Sequence, residues 1–470
     1  DDRFGGSFEG RLEFVKEIIE GIQKECGKEF PIGIRLTVDE LLAPNGVTEY
    51  LKLADGVRIC QELEKLGLVY INVSNGIYES FNSLSEPTTY EQGCRTPLIR
   101  AVKEAVTIPV IAVNMIKEPW FAEKMLEDDL VDFVGLGRAV VADPEWANKA
   151  YGGREEEINR CISCTFCFET LVSDAIPDKN PVKCAVNPRA GRECKYPCYL
   201  KDGAGRTVVV VGAGVGGLEA ARVLGERGFH VVVLEKTGAV GGQINIGDKP
   251  PRKEKMDWIV EYELTQLKKL DVTILVNREA TPECIASYKP YAVILATGAV
   301  PVKPRSIPGV ELENAVTFED VLCDRKPLYG KNVTVIGSGA TGLETAEFLC
   351  ERGNQVTIVE MLGKIGEGVY VQTYLDCMDR LSKYDITYKP ATKLQEIKKG
   401  CAVLQDEKSG NTEEYPADYV VLAMGVHPEN PLEEACKNLC GHVSVIGDAK
   451  QVGRIETAVR AGFEAAYELK

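Results

Sequence analysis

Residues 206–236, RTVVVVGAGVGGLEAARVLGERGFHVVVLEK, and residues 331–361, KNVTVIGSGATGLETAEFLCERGNQVTIVEM, are near copies of one supersecondary unit. Each reads as a strand of Val and Ile, a glycine turn that opens a helix, and a second strand that ends in Glu. A unit of this kind needs a parallel sheet, so the duplication implies two α/β sheets before any other residue is considered. The glycines are Gly212, Gly214 and Gly217 in the first copy and Gly337, Gly339 and Gly342 in the second. In each set the first makes a tight turn, the second lets the backbone approach a pyrophosphate, and the third lets the helix pack on the strand. The helix amino terminus adds N–H donors and the positive end of its dipole. Glu235 and Glu360 each lie 23 residues after the first glycine of their copy, placed to accept from an adenosine ribose. Two dinucleotide sites are expected in one chain.

The remaining 470-residue composition narrows the partners. An apolar fraction of 44% suits a globular protein of two or three domains and excludes disordered or collagen-like classes. A formal charge of −16 gives no basic face for nucleic acid and repels an anionic membrane surface, so a small-molecule substrate is expected and a homo-oligomer stays open. Most of the 16 cysteines are scattered singly through apolar segments, as at Cys60, Cys350 and Cys377. That is the distribution of reduced thiols and points to a cytoplasmic protein.

The first 150 residues alternate apolar β-type runs, at 31–36, 69–73, 108–113 and 131–136, with amphipathic stretches. Four such units make either a small open sheet or half of a (β/α)8 barrel, which takes eight strands. The expectation is the carboxy-terminal half of a barrel, its first half lying upstream, because the chain opens DDRFGG in a polar loop without Met. The fold class is therefore α/β: half a (β/α)8 barrel followed by two Rossmann-like dinucleotide-binding domains. The expected divisions are 1–150 for the half barrel, 151–204 for a linker rich in Cys, Pro, Asn and Lys, 205–328 and 439–470 for the first dinucleotide domain, and 329–438 for the second.

Within the linker, Cys161, Cys164 and Cys167 are followed by Cys184. Disulfides are disfavoured in a reduced compartment and would be strained at this spacing. Zinc usually takes two separated pairs or a nearby His, and no His occurs before His230. A CxxCxxC run with a distant fourth Cys suits a 4Fe-4S cluster better, with zinc still open on spacing alone.

Three family resemblances assign the parts. The module from residue 206 onward resembles the two-dinucleotide-binding flavoprotein reductases, the glutathione and thioredoxin reductase group, in its GGQ at 241–243, its YAVILATGAVP at 291–301 and its VSVIGDAKQVG at 443–453. The resemblance implies FAD at the first loop, with Gly242, Gln243 and Asp448 beside it, and a nicotinamide nucleotide at the second. A carboxylate at Glu360 repels a 2′-phosphate, which favours NADH over NADPH. No CxxC or CxxxxC redox pair occurs in the FAD unit, which argues against a disulfide reductase.

The opening segment resembles the Old Yellow Enzyme family of FMN-dependent ene-reductases at Asp2, Phe4, Gly5, Gly6, Ser7, Glu9, Arg11 and Phe14. That resemblance implies FMN in the barrel, with Arg35 of GIRLT on the flavin pyrimidine edge. It also implies that Arg138, with the backbone at Gly137, sits at the phosphate. Two departures stand out: Asn114 and Met115 replace the usual Gly-Arg, and Tyr78 occupies the place of a catalytic His, where it could supply a proton. The family's main proton donor would lie upstream of residue 1.

The whole arrangement resembles the 2,4-dienoyl-CoA reductase, 2-enoate reductase and trimethylamine dehydrogenase group, which implies a 4Fe-4S cluster on Cys161, Cys164, Cys167 and Cys184. Cys194 and Cys198 are alternative fourth ligands. The implied reaction passes electrons from NADH to FAD, the cluster and FMN, and then to the activated C=C bond of an unsaturated acid, its CoA ester or a 3-oxo-4-ene steroid. Two alternatives fit the same residues: an amine dehydrogenase delivering electrons to a flavoprotein, and an electron-transfer module without substrate chemistry.

Overall fold

The computed structural model describes residues 2–172 and 182–470 and divides into two compact units. The first comprises residues up to Glu86, Tyr90–Val140 and Trp146–Glu155, and the second Pro87–Thr89, Val141–Glu145 and Glu156–Lys470. Residues 173–181 of the expected linker lie outside the described residues. Among those described, no helix is long and apolar enough to cross a membrane.

The first unit holds a parallel sheet of β1 (Gly33–Thr37), β2 (Tyr70–Ser74), β3 (Val110–Ala112) and β4 (Phe133–Val134), in that spatial order. Sequential parallel order is the barrel arrangement, in contrast to the reversed order of a doubly wound sheet. Ile34 and Leu36 face the helices and pack with Ile19, Leu63 and Leu68. The pleat sends Arg35, between them, to the opposite face. Register pairs Arg35 with Asn72 and Asn72 with Ile111 on that face. The expected strand at 131–136 pairs over only two residues, but Asp132 N–H to Val110 O (2.9 Å) and Gly135 N–H to Ala112 O (2.8 Å) continue its bonding at both ends.

The second unit opens with β5 (Thr207–Val211), β6 (His230–Leu234), β7 (Thr273–Leu275) and β8 (Ala292–Leu295). The chain then builds β9 (Ala315–Thr317), β10 (Asn332–Ile336), β11 (Gln355–Val359) and β12 (Ile386–Lys389). An antiparallel sheet follows, β13 (Thr392–Lys398), β14 (Cys401–Asp406) and β15 (Thr412–Pro416), and then β16 (Tyr419–Leu422) and β17 (His442–Val445). The two parallel sheets have the orders β17-β8-β5-β6-β7 and β9-β16-β10-β11-β12. A ribbon pairing Ala299–Pro301 with Val426–Pro428 brings the outgoing and returning chain side by side.

Continuous valine runs are what a strand buried on both faces requires. Val208 and Val210 of β5 pack with Val231 and Val233 on one side, and Val209 and Val211 with Val232 and Leu234 on the other. The last helix, Ile455–Tyr467, lies on the helix after β5, Val215–Glu226, at a contact that only glycine permits: a Cβ on Gly462 would overlap the carbonyl oxygen of Gly216. Gly462→Val should therefore push these helices apart and cost about 1–3 kcal/mol, read as a lower melting temperature; an unchanged melting temperature would refute the close contact.

Candidate functional sites

The first glycine loop lies where β5 and its neighbour β8 part company, β5 being followed on one side by β6 and β8 lying on the other, which is the switch-point crevice of a doubly wound sheet. Gly212 has φ +102, and any Cβ there would strike the Ala296 carbonyl. A Cβ on Gly217 would overlap the Gly212 carbonyl, so this glycine seats the helix on the turn. Where a Cβ on Gly214 would point, the nearest atom is Gly242 Cα at 4.0 Å, which leaves a phosphate-sized approach to the backbone. Gly241 N–H donates to Ala213 O at 2.8 Å, drawing the GGQ turn against the loop. Gln243 Nε2 reaches Asp448 Oδ2 at 3.4 Å across 205 residues of sequence, and Gly453 N–H donates to Asp448 Oδ1 at 2.9 Å. Burial raises the Asp448 carboxyl above its ordinary range, against the lowering effect of the Gly453 bond. The structure thus brings together Gly212, Gly214, Gly217, Gly242, Gln243 and Asp448, the residues expected around FAD.

The second loop repeats the design. A Cβ on Gly337 would strike the Ala423 carbonyl, a Cβ on Gly342 would overlap the Gly337 carbonyl, and the position of a Cβ on Gly339 is open. Both expected ribose acids are held by the protein itself. Glu235 accepts from Ala213 N–H (2.9 Å), Thr237 N–H (2.8 Å) and Thr237 Oγ1 (2.7 Å). Glu360 accepts from Ser338 N–H (2.9 Å), Ser338 Oγ (2.7 Å) and Leu362 N–H (2.8 Å). An ionised carboxylate offers roughly four acceptor sites, so three of them on each acid are taken up in fixing its own loop.

Around the thiols the backbone is strained. Ser163 (φ +52) and Thr165 (φ +57) alternate with the cysteines in the left-handed region, which costs about 1–2 kcal/mol per non-glycine residue and is rarest for a β-branched one. Thr165 Oγ1 donates to Cys164 O and Thr170 Oγ1 to Cys167 O, each at 2.7 Å. Asn159 Nδ2 donates to Val186 O at 2.7 Å, tying the entry of the first three thiols to the neighbourhood of the fourth. Burial pushes the Cys164 thiol well up, followed by the charges of Cys184, Cys161 and Cys167. Cys184 is pushed up to about 12 by burial and then by Cys161 and Cys167. Four neighbouring thiols whose ionised forms would repel one another are a donor set that a cationic group would complete. Among the described residues, no group of three or more His, Cys, Asp or Glu is arranged to hold a single metal ion. Cys194 and Cys198 are exposed.

In the first unit, Arg35 donates to Asn72 Oδ1 (2.8 Å) and Ser74 Oγ (3.1 Å), which extend it over the face away from the helices. Arg138 donates to Glu86 O (2.6 Å) and pairs with Glu86 Oε2 (3.3 Å), while Arg95 Nε holds the other oxygen at 2.9 Å. A buried carboxylate between two arginines orients Arg138, a partner that sequence patterning does not mark. Gly137 is open at its Cβ position. The departure at Asn114 has a structural explanation: its amide accepts from Arg95 N–H (2.8 Å) and donates to Thr96 Oγ1 (3.0 Å), fixing the start of helix Thr96–Lys103. Tyr78 opens a short turn after β2 and is 74% exposed.

Comparison with known proteins assigns these sites to families. Residues 1–157 match the NADH:flavin oxidoreductase / NADH oxidase family and residues 206–465 the pyridine nucleotide-disulphide oxidoreductase family. The NADH oxidase of Thermoanaerobacter brockii is 39% identical over 100% of this chain and 71% of its own length. The cinnamate reductase of Clostridium sporogenes is 30% identical over 100% of this chain and 70% of its own. A solved 2-naphthoyl-CoA reductase in complex with 2-naphthoyl-CoA superposes with a TM-score of 0.91 at 28% identity, covering 100% of this chain and 70% of that one. The paired glycine loops, the thiol segment and the half barrel are therefore parts of one enzyme: the chain belongs to the NADH:flavin oxidoreductase / NADH oxidase family, joined to a pyridine nucleotide-disulphide oxidoreductase module, and is an NADH-dependent flavin oxidoreductase using FMN, FAD and a 4Fe-4S cluster.

Proposed function

We propose that this enzyme reduces a C=C bond conjugated to a carboxylate, a thioester or a ring ketone, drawing electrons from NADH bound at the second glycine loop. The observation that carries the reading is that loop: it is complete, open at Gly339, and ends in a carboxylate. The cinnamate and 2-naphthoyl-CoA reductases support the substrate class.

FMN and FAD supply hydride chemistry and the cluster supplies single-electron steps. The chain's own residues bind and orient. Gly212, Gly214 and Gly217 hold one pyrophosphate, with Gln243 and Asp448 at the neighbouring ribityl chain; Gly337, Gly339 and Gly342 hold the other. Glu235 and Glu360 accept from the adenosine riboses. Arg35 would stabilise negative charge on the pyrimidine edge of FMN, and Arg138, steadied by Glu86, would meet its phosphate beside Gly137. Tyr78, with its hydroxyl in water, is the residue here that could deliver a proton. Cys161, Cys164, Cys167 and Cys184 are the cluster ligands, with residues 1–150 binding FMN, 151–204 the cluster, 205–328 and 439–470 FAD, and 329–438 NADH.

The full-length enzyme, loaded with its cofactors, should oxidise NADH when offered cinnamate-type acids, aryl-CoA esters or 3-oxo-4-ene steroids. Flavin bleaching by secondary or tertiary amines with no NADH response would replace this reading with an amine dehydrogenase. Cys184→Ser should lose iron and sulfide, while Cys194→Ser and Cys198→Ser keep both; the reverse pattern reassigns the fourth ligand. Glu360→Gln should reduce the preference for NADH over NADPH, read as the ratio of kcat/KM values, by about tenfold, roughly 1.4 kcal/mol. An unchanged ratio would remove Glu360 from nucleotide selection.

A further inference from the structure

The loop that carries Asp448 runs through Gly453 to Arg454, and Arg454 reaches out of the FAD site to one aromatic ring. Its guanidinium lies 3.5 Å from the ring centroid of Tyr370, and its Nη2 donates to Gly368 O at 2.9 Å. The Tyr370 hydroxyl donates to Glu456 Oε1 at 3.2 Å, so the ring is fixed at both its face and its tip. The same ring stacks with Phe166, centroids 6.2 Å apart and planes 25° from parallel. Phe166 stands between Cys164 and Cys167, in the helix Phe166–Val172. Two residues beyond Tyr370, Gln372 N–H donates to Glu169 of that same helix at 3.1 Å, and Glu169 is 0% exposed. One ring therefore joins the thiol segment to the Asp448 loop.

We propose that Tyr370 is a positioning residue that holds the thiol segment against the flavin loop and thereby sets the rate of electron passage from FAD to the cluster. The proposal rests on the proposed NADH-dependent function, with electrons passing from NADH to FAD, then to the cluster, then to FMN. In that route NADH becomes NAD+ by giving a hydride to FAD. The two electrons then leave singly, each reducing the cluster by one before passing to FMN, and the flavin's proton is released as the pair departs. Transfer between fixed centres falls steeply with their separation. A ring held by a cation, a hydrogen bond and a stacked partner is suited to keep that separation constant.

The test uses the full-length holoenzyme mixed anaerobically with NADH, with flavin reduction followed by absorbance and cluster reduction by freeze-quench electron paramagnetic resonance. Tyr370→Ala should keep its iron, sulfide and FAD and its NADH-driven flavin reduction, while cluster reduction slows on the order of tenfold or more. Tyr370→Phe, which keeps the stack and loses one hydrogen bond, should stay within about twofold of the parent. Cluster reduction in Tyr370→Ala as fast as in the parent overturns the role of Tyr370 alone. Loss of iron or of NADH-driven flavin reduction in Tyr370→Ala also overturns it, because the ring would then support a cofactor site itself. A parent enzyme whose cluster stays oxidised overturns the route, and this role with it.

Discussion

A carboxylate at the end of a strand accepting the N–H of the residue after the first loop glycine is the contact on which both nucleotide sites depend. Glu235 holds Ala213 in this way and Glu360 holds Ser338. The clamp adds to the bonds from Gly212 N–H to Leu234 O and from Gly337 N–H to Val359 O in fixing each turn through a positive φ, and so in aiming the helix dipole behind it. Hydrogen bonds to a charged acceptor are worth about 1.5–3 kcal/mol each, enough to order a short glycine loop. The same bonds leave both acids preorganised by the protein itself.

Charge is handled differently in the two units. The two glycine loops are fixed by backbone N–H groups donating to a carboxylate. The half barrel places its arginines by pairing them: Glu86 sits between Arg95 and Arg138, and Asn72 and Ser74 direct Arg35. An arginine held by neutral partners keeps its full charge for a ligand. One held by a carboxylate gives up part of its field in exchange for a fixed direction.

The legible parts of this molecule were those written in local periodicity. Glycine spacing marks both loops, and the valine runs mark β5 and β6, because a doubly buried strand needs nothing but apolar residues. Gln243 and Asp448 became legible through family resemblance alone, since no local pattern joins residues 205 positions apart. Glu86, Glu169 and Tyr370 carried no signal: each is an ordinary residue type whose meaning comes from a distant partner. The antiparallel insertion β13–β15 is also illegible in the sequence, its strands being half-polar and short-looped. The left-handed Thr165 runs against its own propensity, which is where a cofactor-binding loop is expected to depart from local rules.

The order β17-β8-β5-β6-β7 has a consequence for how the chain emerges from the ribosome. β8 is complete at Leu295, but the strand that covers its free edge, β17, begins only at His442. At ~5–20 residues per second, roughly seven to thirty seconds of synthesis separate the two. Throughout that interval Ala292–Leu295 presents an unpaired apolar edge, the kind that recruits foreign strands. The inserted segment that separates them closes on itself at the 299–301 and 426–428 ribbon, so its folding delivers β17 to the waiting edge. The strand pairing most distant in sequence thus waits for the domain placed inside it.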